Sequence, residues 1–248
     1  MIKKKLIKWT KVLINKNFST VKTHSIPSLD NATLTFGNKG MQFEATTLFI
    51  DMRNSTKLLR KHNKTTIAKL YSVFFANIVL LSKKNNGSVR SFNGDGALIF
   101  FESSRFDSYN NAVKTAMEIK YILTSEESEV KATINKFTEI DFGIGIAHGE
   151  VLCTKVGIGG DSHNKDLVWI GNSVNKSSKL ADIARSPHNI IISETIYKNL
   201  NDENKYLGFD KKSAFGTPML KLDIWELKLF EYNGSNKNVY IASNSLES

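Results

Sequence analysis

Two aspartates stand where carboxylates can do chemistry. Asp51 closes the apolar run Thr47-Leu48-Phe49-Ile50, and Asp95 lies in Asn93-Gly94-Asp95-Gly96, between the β-rich runs 88–92 and 97–101. Two Asp residues at strand ends can meet at one sheet edge and hold a divalent cation. With oxygen ligands and neither His nor Cys, that cation is a hard one, Mg²⁺ or Mn²⁺. Such ions enter with phosphates, and a metal pair can activate one oxygen while stabilising another. An Asp in a tight hairpin is also an ordinary turn former, so the pair carries the reading rather than either residue alone.

Other polar groups suit the same chemistry. Arg53-Asn54-Ser55-Thr56 lies between a strand and a helix N-terminus, where amides and hydroxyls can receive phosphate oxygens. No GxxxxGK[ST] occurs, and Gly157-Ile158-Gly159-Gly160 lacks dinucleotide-binding spacing and reads as a hairpin tip. Asn175 and Lys179, four apart, share one helical face. Asn can orient a ribose and Lys can neutralise phosphate as a point cation; an exposed polar stripe has the same pattern. His148, His163 and His188 lack metal-ligand spacing and are assigned to turns and surface. Cys153, in an apolar run, reads as a small buried hydrophobe. As the single cysteine it excludes a disulfide within the chain and fits a reducing cytosol.

The elements that must position these residues follow from periodicity. A buried strand spans 46–50. Ile67, Leu70, Phe74, Ile78 and Leu81 mark a helix capped by Thr65 or Thr66. After the 88–101 hairpin, a second helix runs over about 107–123, with Ala112, Ala116, Ile119 and Leu123 inward. Residues 125–129 form a solvated charge run. A strand at 139–147, a turn at His148-Gly149-Glu150 and a return strand at 151–156 predict a second hairpin. A flexible tip over 157–165, which includes Asp161, leads to a strand at 166–170. A third helix runs from Gly171 to about Arg185, with Val174, Ala181 and Ala184 inward. A strand at 189–192 and a helix capped by Ser193 follow. Helices alternating with hairpins predict an α+β fold related to the split βαβ unit.

Residues 1–18 read as a basic amphipathic helix, with Ile2, Leu6, Trp9, Val12 and Leu13 near helical spacing. Packing on the domain or on a partner subunit is favoured over lying on a membrane surface. Residues 19–43 read as an irregular lead-in. The expected organisation is therefore an N-terminal helix and lead-in at 1–43, a catalytic domain at 44–200, and a β-leaning extension of that domain at 201–248. No apolar span of 18 residues is evident, and stable membrane insertion is not expected; nor does the basic start read as a signal peptide. The net charge of +10 attracts anions, but the basic residues form no aromatic-interleaved stripe of the kind nucleic-acid binders show.

Four segments, in order, resemble the class III nucleotide cyclases: LFIDMRNST, GSVRSFNGDGALIFF, FGIGIAHGEV and WIGNSVNKSSKLADIA. Together they span about residues 46–197. The resemblance implies a ferredoxin-like cyclase homology domain with a mixed, mostly antiparallel sheet, working as a head-to-tail homodimer with composite active sites. It implies that Asp51 and Asp95 carry two divalent metals, Mn²⁺ or Mg²⁺, with the Met52 carbonyl as a further ligand. Phe49, Arg53, Asn54, Ser55 and Thr56 then fall in the nucleotide-binding region. The ribose 3′-hydroxyl of a nucleoside triphosphate would attack the α-phosphate and expel pyrophosphate. Asn175 of the partner subunit matches the ribose-orienting Asn, and Lys179 falls where the family has a transition-state Arg.

Departures from the pattern narrow the base. Ser91 stands where adenylate cyclases have a purine-reading Lys, and Val168 replaces their base-reading Asp or Thr. DMRNST, RSFNGDG and WIGNSVNKSSKL are similar to the pyrimidine cyclases of bacterial Pycsar antiphage systems. That similarity implies a cytoplasmic enzyme making cyclic UMP or cyclic CMP, UTP favoured over CTP, whose product activates an effector. Arg90 and Arg53 are candidates for reading a pyrimidine O2 or O4, although strand alternation aims Arg90 away from Ser91 unless a bulge re-aims it. The competing expectations are an atypical adenylate or guanylate cyclase, and a non-catalytic basic module that binds nucleotides or nucleic acid.

Overall fold

The computed structural model describes residues 2–103, 107–158, 163–207 and 222–242. The chain opens with α1 (Ile2–Ile14), β1 (Ser19–Lys22) and β2 (Lys39–Met52), then α2 (Ser55–Lys61), α3 (Lys64–Lys84), β3 (Gly87–Asn93) and β4 (Gly96–Glu102). It continues through α4 (Ser108–Thr124), α5 (Glu129–Asn135), β5 (Phe142–Gly157), β6 (Lys165–Ile170) and α6 (Asn172–Ile183). The last elements are β7 (Ile190–Ser193), α7 (Glu194–Lys198), α8 (Asp202–Lys205), β8 (Tyr206–Leu207), β9 (Leu222–Asp223), β10 (Trp225–Tyr232) and β11 (Ser235–Ala242). Among the described residues the main sheet runs β10-β11-β7-β5-β2-β4-β3, with β1 beside β2 and β6 beside β5. The β5–β7 and β1–β2 pairs are parallel and the others antiparallel.

Alternation along β2 sorts the two faces. Leu48, Ile50 and Met52 turn inward with Ile99, Phe101, Ile144 and Ile146. They meet Ile67, Leu70, Phe74 and Ile78 of α3 and Ala112, Val113, Ala116 and Ile119 of α4 in one buried core. Phe43, Ala45, Leu98, Phe100, Val151 and Cys153 form a second cluster on the opposite face, with Phe49 and Trp169 packed against it. Ile26 and Leu34 of the lead-in cover part of that face, so this segment is more than a spacer.

Several elements differ from expectation. β2 starts at Lys39 and crosses the boundary drawn at residue 43, because β1 and β5 supply partners for its first residues. The helix after Asp51 is two helices, α2 and α3. Asn63, rather than a threonine, caps α3 by accepting from the Thr66 amide at 2.9 Å. The segment His148-Gly149-Glu150 does not turn. It belongs to one 16-residue strand that β2 templates from Gly40 to Met52, and the true hairpin is β5–β6. Residues 159–162 of its expected tip lie outside the described residues. The charge run at 125–129 leads straight into α5, with Ser128 as cap. Against expectation, α3 is long and apolar enough to cross a membrane; its inner face nevertheless lies in the core. Every residue of α1 is exposed.

Candidate active site

The β3–β4 hairpin delivers Asp95 to the end of β2. Asn93 pairs with Gly96, leaving a two-residue loop in which Gly94 takes a left-handed φ of 63°. Asp51 pairs with Gly96 in turn, and the Met52 amide donates to the Asp95 carbonyl at 3.2 Å. A Cβ at Gly96 would fall 3.0 Å from Asp51 Oδ1 and from Phe49 Cζ. Glycine there keeps room for the Asp51 carboxylate beside the hairpin. Burial and then the charge of Asp95 push the Asp51 carboxyl up to about 6, and Arg53 acts against them. The expected carboxylate pair is therefore formed within one chain.

Arg53 has a different place from the one expected. Its Nη1 donates to Asp51 at 3.2 Å, its Nε and Nη2 donate to the Ala184 carbonyl at 3.2 and 3.1 Å, and Nη2 also donates to the Ala181 carbonyl. The guanidinium is thus spent on carbonyls at the C-terminal end of α6, those of Ala181 and of the C-cap Ala184. It ties the end of α6 to Asp51 within the chain. Asn54 holds a left-handed φ of 57° at the start of α2, followed by Ser55 and Thr56 in the first turn. Sequence reasoning gave no weight to Tyr71 of α3, whose hydroxyl is raised above its usual pKa by burial and by the charge of Asp95. Its place at the edge of an ordinary amphipathic stripe gave no signal.

α6 lies directly on β5, and two glycines allow it. A Cβ at Gly145 would sit 2.5 Å from the Ala181 amide nitrogen and 2.7 Å from Leu180 Cβ, and one at Gly143 would meet the Ala184 carbonyl at 2.5 Å. With Ser177, Leu180 and Ala181 buried below, Asn175 and Lys179 share the exposed side, as their spacing requires. Lys179 Nζ stands 4.8 Å from the ring centre of Tyr232, whose hydroxyl donates to Asn172 at 2.6 Å. Tyr232 belongs to β10, four strands along the sheet from β2, about 19 Å at ordinary strand spacing. Within one chain, Lys179 is aimed away from Asp51 and Asp95.

The β3 register slips between Val89 and Ser91, so Arg90 is bulged. Val89 pairs with inward Ile99 and Ser91 with outward Leu98, and Arg90 turns outward too. Its Nη2 donates to the Ile26 carbonyl at 3.4 Å, and its buried Nε has no hydrogen-bond partner among the described residues. Burial lowers its pKa while Glu102 raises it. The bulge thus brings Arg90 to the face shared by Ser91, Phe49 and Asp51. Ser91 Oγ donates to Asn93 Oδ1 at 2.9 Å, and Val168 is exposed on β6. His148 is not in a turn: it lies in β5, its Nδ1 3.2 Å from Thr46 Oγ1 and its ring against Tyr109.

Comparison with known proteins gives the family and the fold. Residues 39–217 match the adenylate and guanylate cyclase catalytic domain. A uridylate cyclase of Treponema porcinum is 29% identical over 204 residues, covering 81% of this chain and 69% of that protein. A uridylate cyclase of Gulbenkiania mobilis is 29% identical over 219 residues, covering 81% and 78%. Among solved structures, the guanylyl cyclase Cya2 superposes with a TM-score of 0.63 at 19% identity, covering 84% of this chain and 95% of that one. The adenylyl cyclase CyaB from P. aeruginosa gives 0.62 at 16% identity, covering 84% and 97%; at such identities the likeness concerns the fold. The chain belongs to the family of adenylate and guanylate cyclase catalytic domains, and is a nucleotide cyclase of the class III fold.

Proposed function

We propose that this chain is a homodimeric pyrimidine nucleotide cyclase that converts UTP, ahead of CTP, to the 3′,5′-cyclic monophosphate and pyrophosphate. The observation that carries the proposal is the meeting of Asp51 and Asp95 at one strand end while Lys179 of the same chain points away toward Tyr232. Such a site is completed by a second copy that brings its own α6. The uridylate cyclases among the relatives support the choice of UTP.

The residues fit a divalent metal. They supply only oxygen donors, and burial together with the neighbouring Asp95 carboxylate disfavours the charged form of Asp51, a repulsion that a bound cation would relieve. Asp51, Asp95 and the Met52 carbonyl would hold two Mg²⁺ or Mn²⁺ ions, which supply charge neutralisation at the phosphates when bound. In the reaction the ribose 3′-hydroxyl gives up its proton to solvent as its oxygen bonds to the α-phosphorus, the bond from that phosphorus to the bridging oxygen breaks, and pyrophosphate departs. Asn54, Ser55 and Thr56 line the phosphate end. Asn175 of the partner subunit orients the ribose, and Lys179 of the partner subunit answers the charge that builds on the transferring phosphorus. Phe49 packs beside the base. Arg90, brought by the bulge to the face of Ser91, would read a pyrimidine carbonyl through its guanidinium, and Ser91 would line the space a purine would need.

By the likeness to antiphage pyrimidine cyclases, the product acts in the cytoplasm as a second messenger on a separate effector. The test is direct: incubate the purified protein with each of the four nucleoside triphosphates and Mn²⁺, and identify products by mass spectrometry. Cyclic UMP as the main product supports the proposal. Cyclic AMP or cyclic GMP alone would replace it with a purine cyclase, and no cyclic product with any nucleotide would leave a binding module.

A further inference from the structure

We propose that α1 is an interfacial anchor that docks the protein on an anionic lipid surface. At 100° per residue, Ile2, Leu6, Trp9, Val12 and Leu13 fall within an arc of about 120°. Lys4, Lys8 and Lys11 lie on the far side, and Lys5 sits near one edge, where its stem can follow the apolar arc. All five apolar side chains are solvent-exposed, from 44% for Leu13 to 68% for Ile2. Leu13 lies beside Gly37, and no residue of the helix is buried on the domain.

Charge chooses the occupant. Residues 1–29 hold seven lysines and no acidic residue. The spacing of Ile2, Leu6, Trp9 and Leu13 would also suit a two-helix seam. A parallel copy, however, would bring Lys3 and Lys5 beside that seam against further lysines, with no carboxylate on either helix to compensate. A 13-residue helix is also short for an independent pair. An anionic membrane surface meets both requirements at once. Its headgroups attract the lysines while the acyl boundary takes the indole and the aliphatic side chains. This is peripheral adsorption, not insertion across a bilayer, and it is independent of the nucleotide the domain cyclises.

The experiment is co-sedimentation of the full chain with vesicles of phosphatidylcholine containing about 30% phosphatidylserine, against pure phosphatidylcholine. The wild type pellets with the anionic vesicles and is released by salt. Each lysine at the surface multiplies partitioning about fivefold, so Lys4→Gln/Lys8→Gln/Lys11→Gln lowers it on the order of 100-fold. Leu6→Ser/Trp9→Ser abolishes it with charge unchanged, and this separates docking through α1 from adsorption by any basic surface. Both variants keep the wild-type melting temperature, because the substituted side chains are exposed. Failure of the wild type to pellet at low salt overturns the proposal. So does pelleting that survives Leu6→Ser/Trp9→Ser, or a loss of molecular mass by light scattering in that variant without vesicles, which would make the occupant a second copy.

Discussion

Substituting Gly145 by Ala tests how the sheet positions α6. The new methyl would lie 2.5 Å from the Ala181 nitrogen and 2.7 Å from Leu180 Cβ. Ordinary carbon contacts begin near 3.5 Å, so α6 must retreat by about 1 Å. The backbone atoms it meets cannot rotate away as a side-chain tip could. Overpacking of this kind costs about 1–3 kcal/mol, a fall of roughly 2–12 °C in Tm for a chain of this size. Arg53, which holds the α6 carbonyls and Asp51 together, would be disturbed by the same shift. Misplacing catalytic groups by 1 Å costs about 100-fold in rate. In a folded Gly145→Ala protein, kcat should therefore fall by roughly that factor, while thermal melting shows only the modest loss above. Wild-type Tm and wild-type turnover together would refute the close approach of α6 to β5.

Other outcomes follow from single residues. Mn²⁺ at a hundredfold excess over its dissociation constant should stabilise the wild type by about 2.7 kcal/mol, a rise of about 5–10 °C in Tm. Asp95→Asn should lose that rise and, without added ions, melt above the wild type, since it removes the repulsion acting on Asp51; an undiminished Mn²⁺ response would remove Asp95 from the ion site. Arg90→Gln should lower kcat/KM for UTP by about 10- to 100-fold, the range for a lost charged hydrogen bond; unchanged kinetics would take the base contact from Arg90. Cys153 is fully buried, and burial pushes its thiol up to about 12. At pH 8 about one thiol in ten thousand is ionised, so a thiol reagent should label the protein only after denaturation. Rapid labelling of the native protein would contradict that burial.

The parts of the site that depend on local pattern were legible in the sequence. Strand ends and hairpin chemistry located Asp51 and Asp95, and the four-residue spacing put Asn175 and Lys179 on one exposed face. Long-range geometry was not legible. Gly149 reads as a turn residue, yet β2 pairs along β5 on both sides of it and keeps the strand straight through. Arg53 reads as a phosphate contact because of its neighbours, while its partners lie about 130 residues away on α6. The orientation of Arg90 hinged on a bulge that one-residue alternation cannot foresee. Tyr232 carried no signal at all, since its contact depends on β10 joining the far edge of the sheet with this ring turned toward α6.

The composite site is the central claim, and mixing two inactive variants tests it most directly. Asp51→Ala and Lys179→Ala are each expected to be inactive alone. Co-refolded in equal amounts, they should form half heterodimers, each with one intact site. Turnover should therefore recover to about a quarter of the wild-type rate per chain. No recovery, with heterodimers verified by mass, would contradict a site built from Asp51 and Asp95 of one chain and Asn175 and Lys179 of the other.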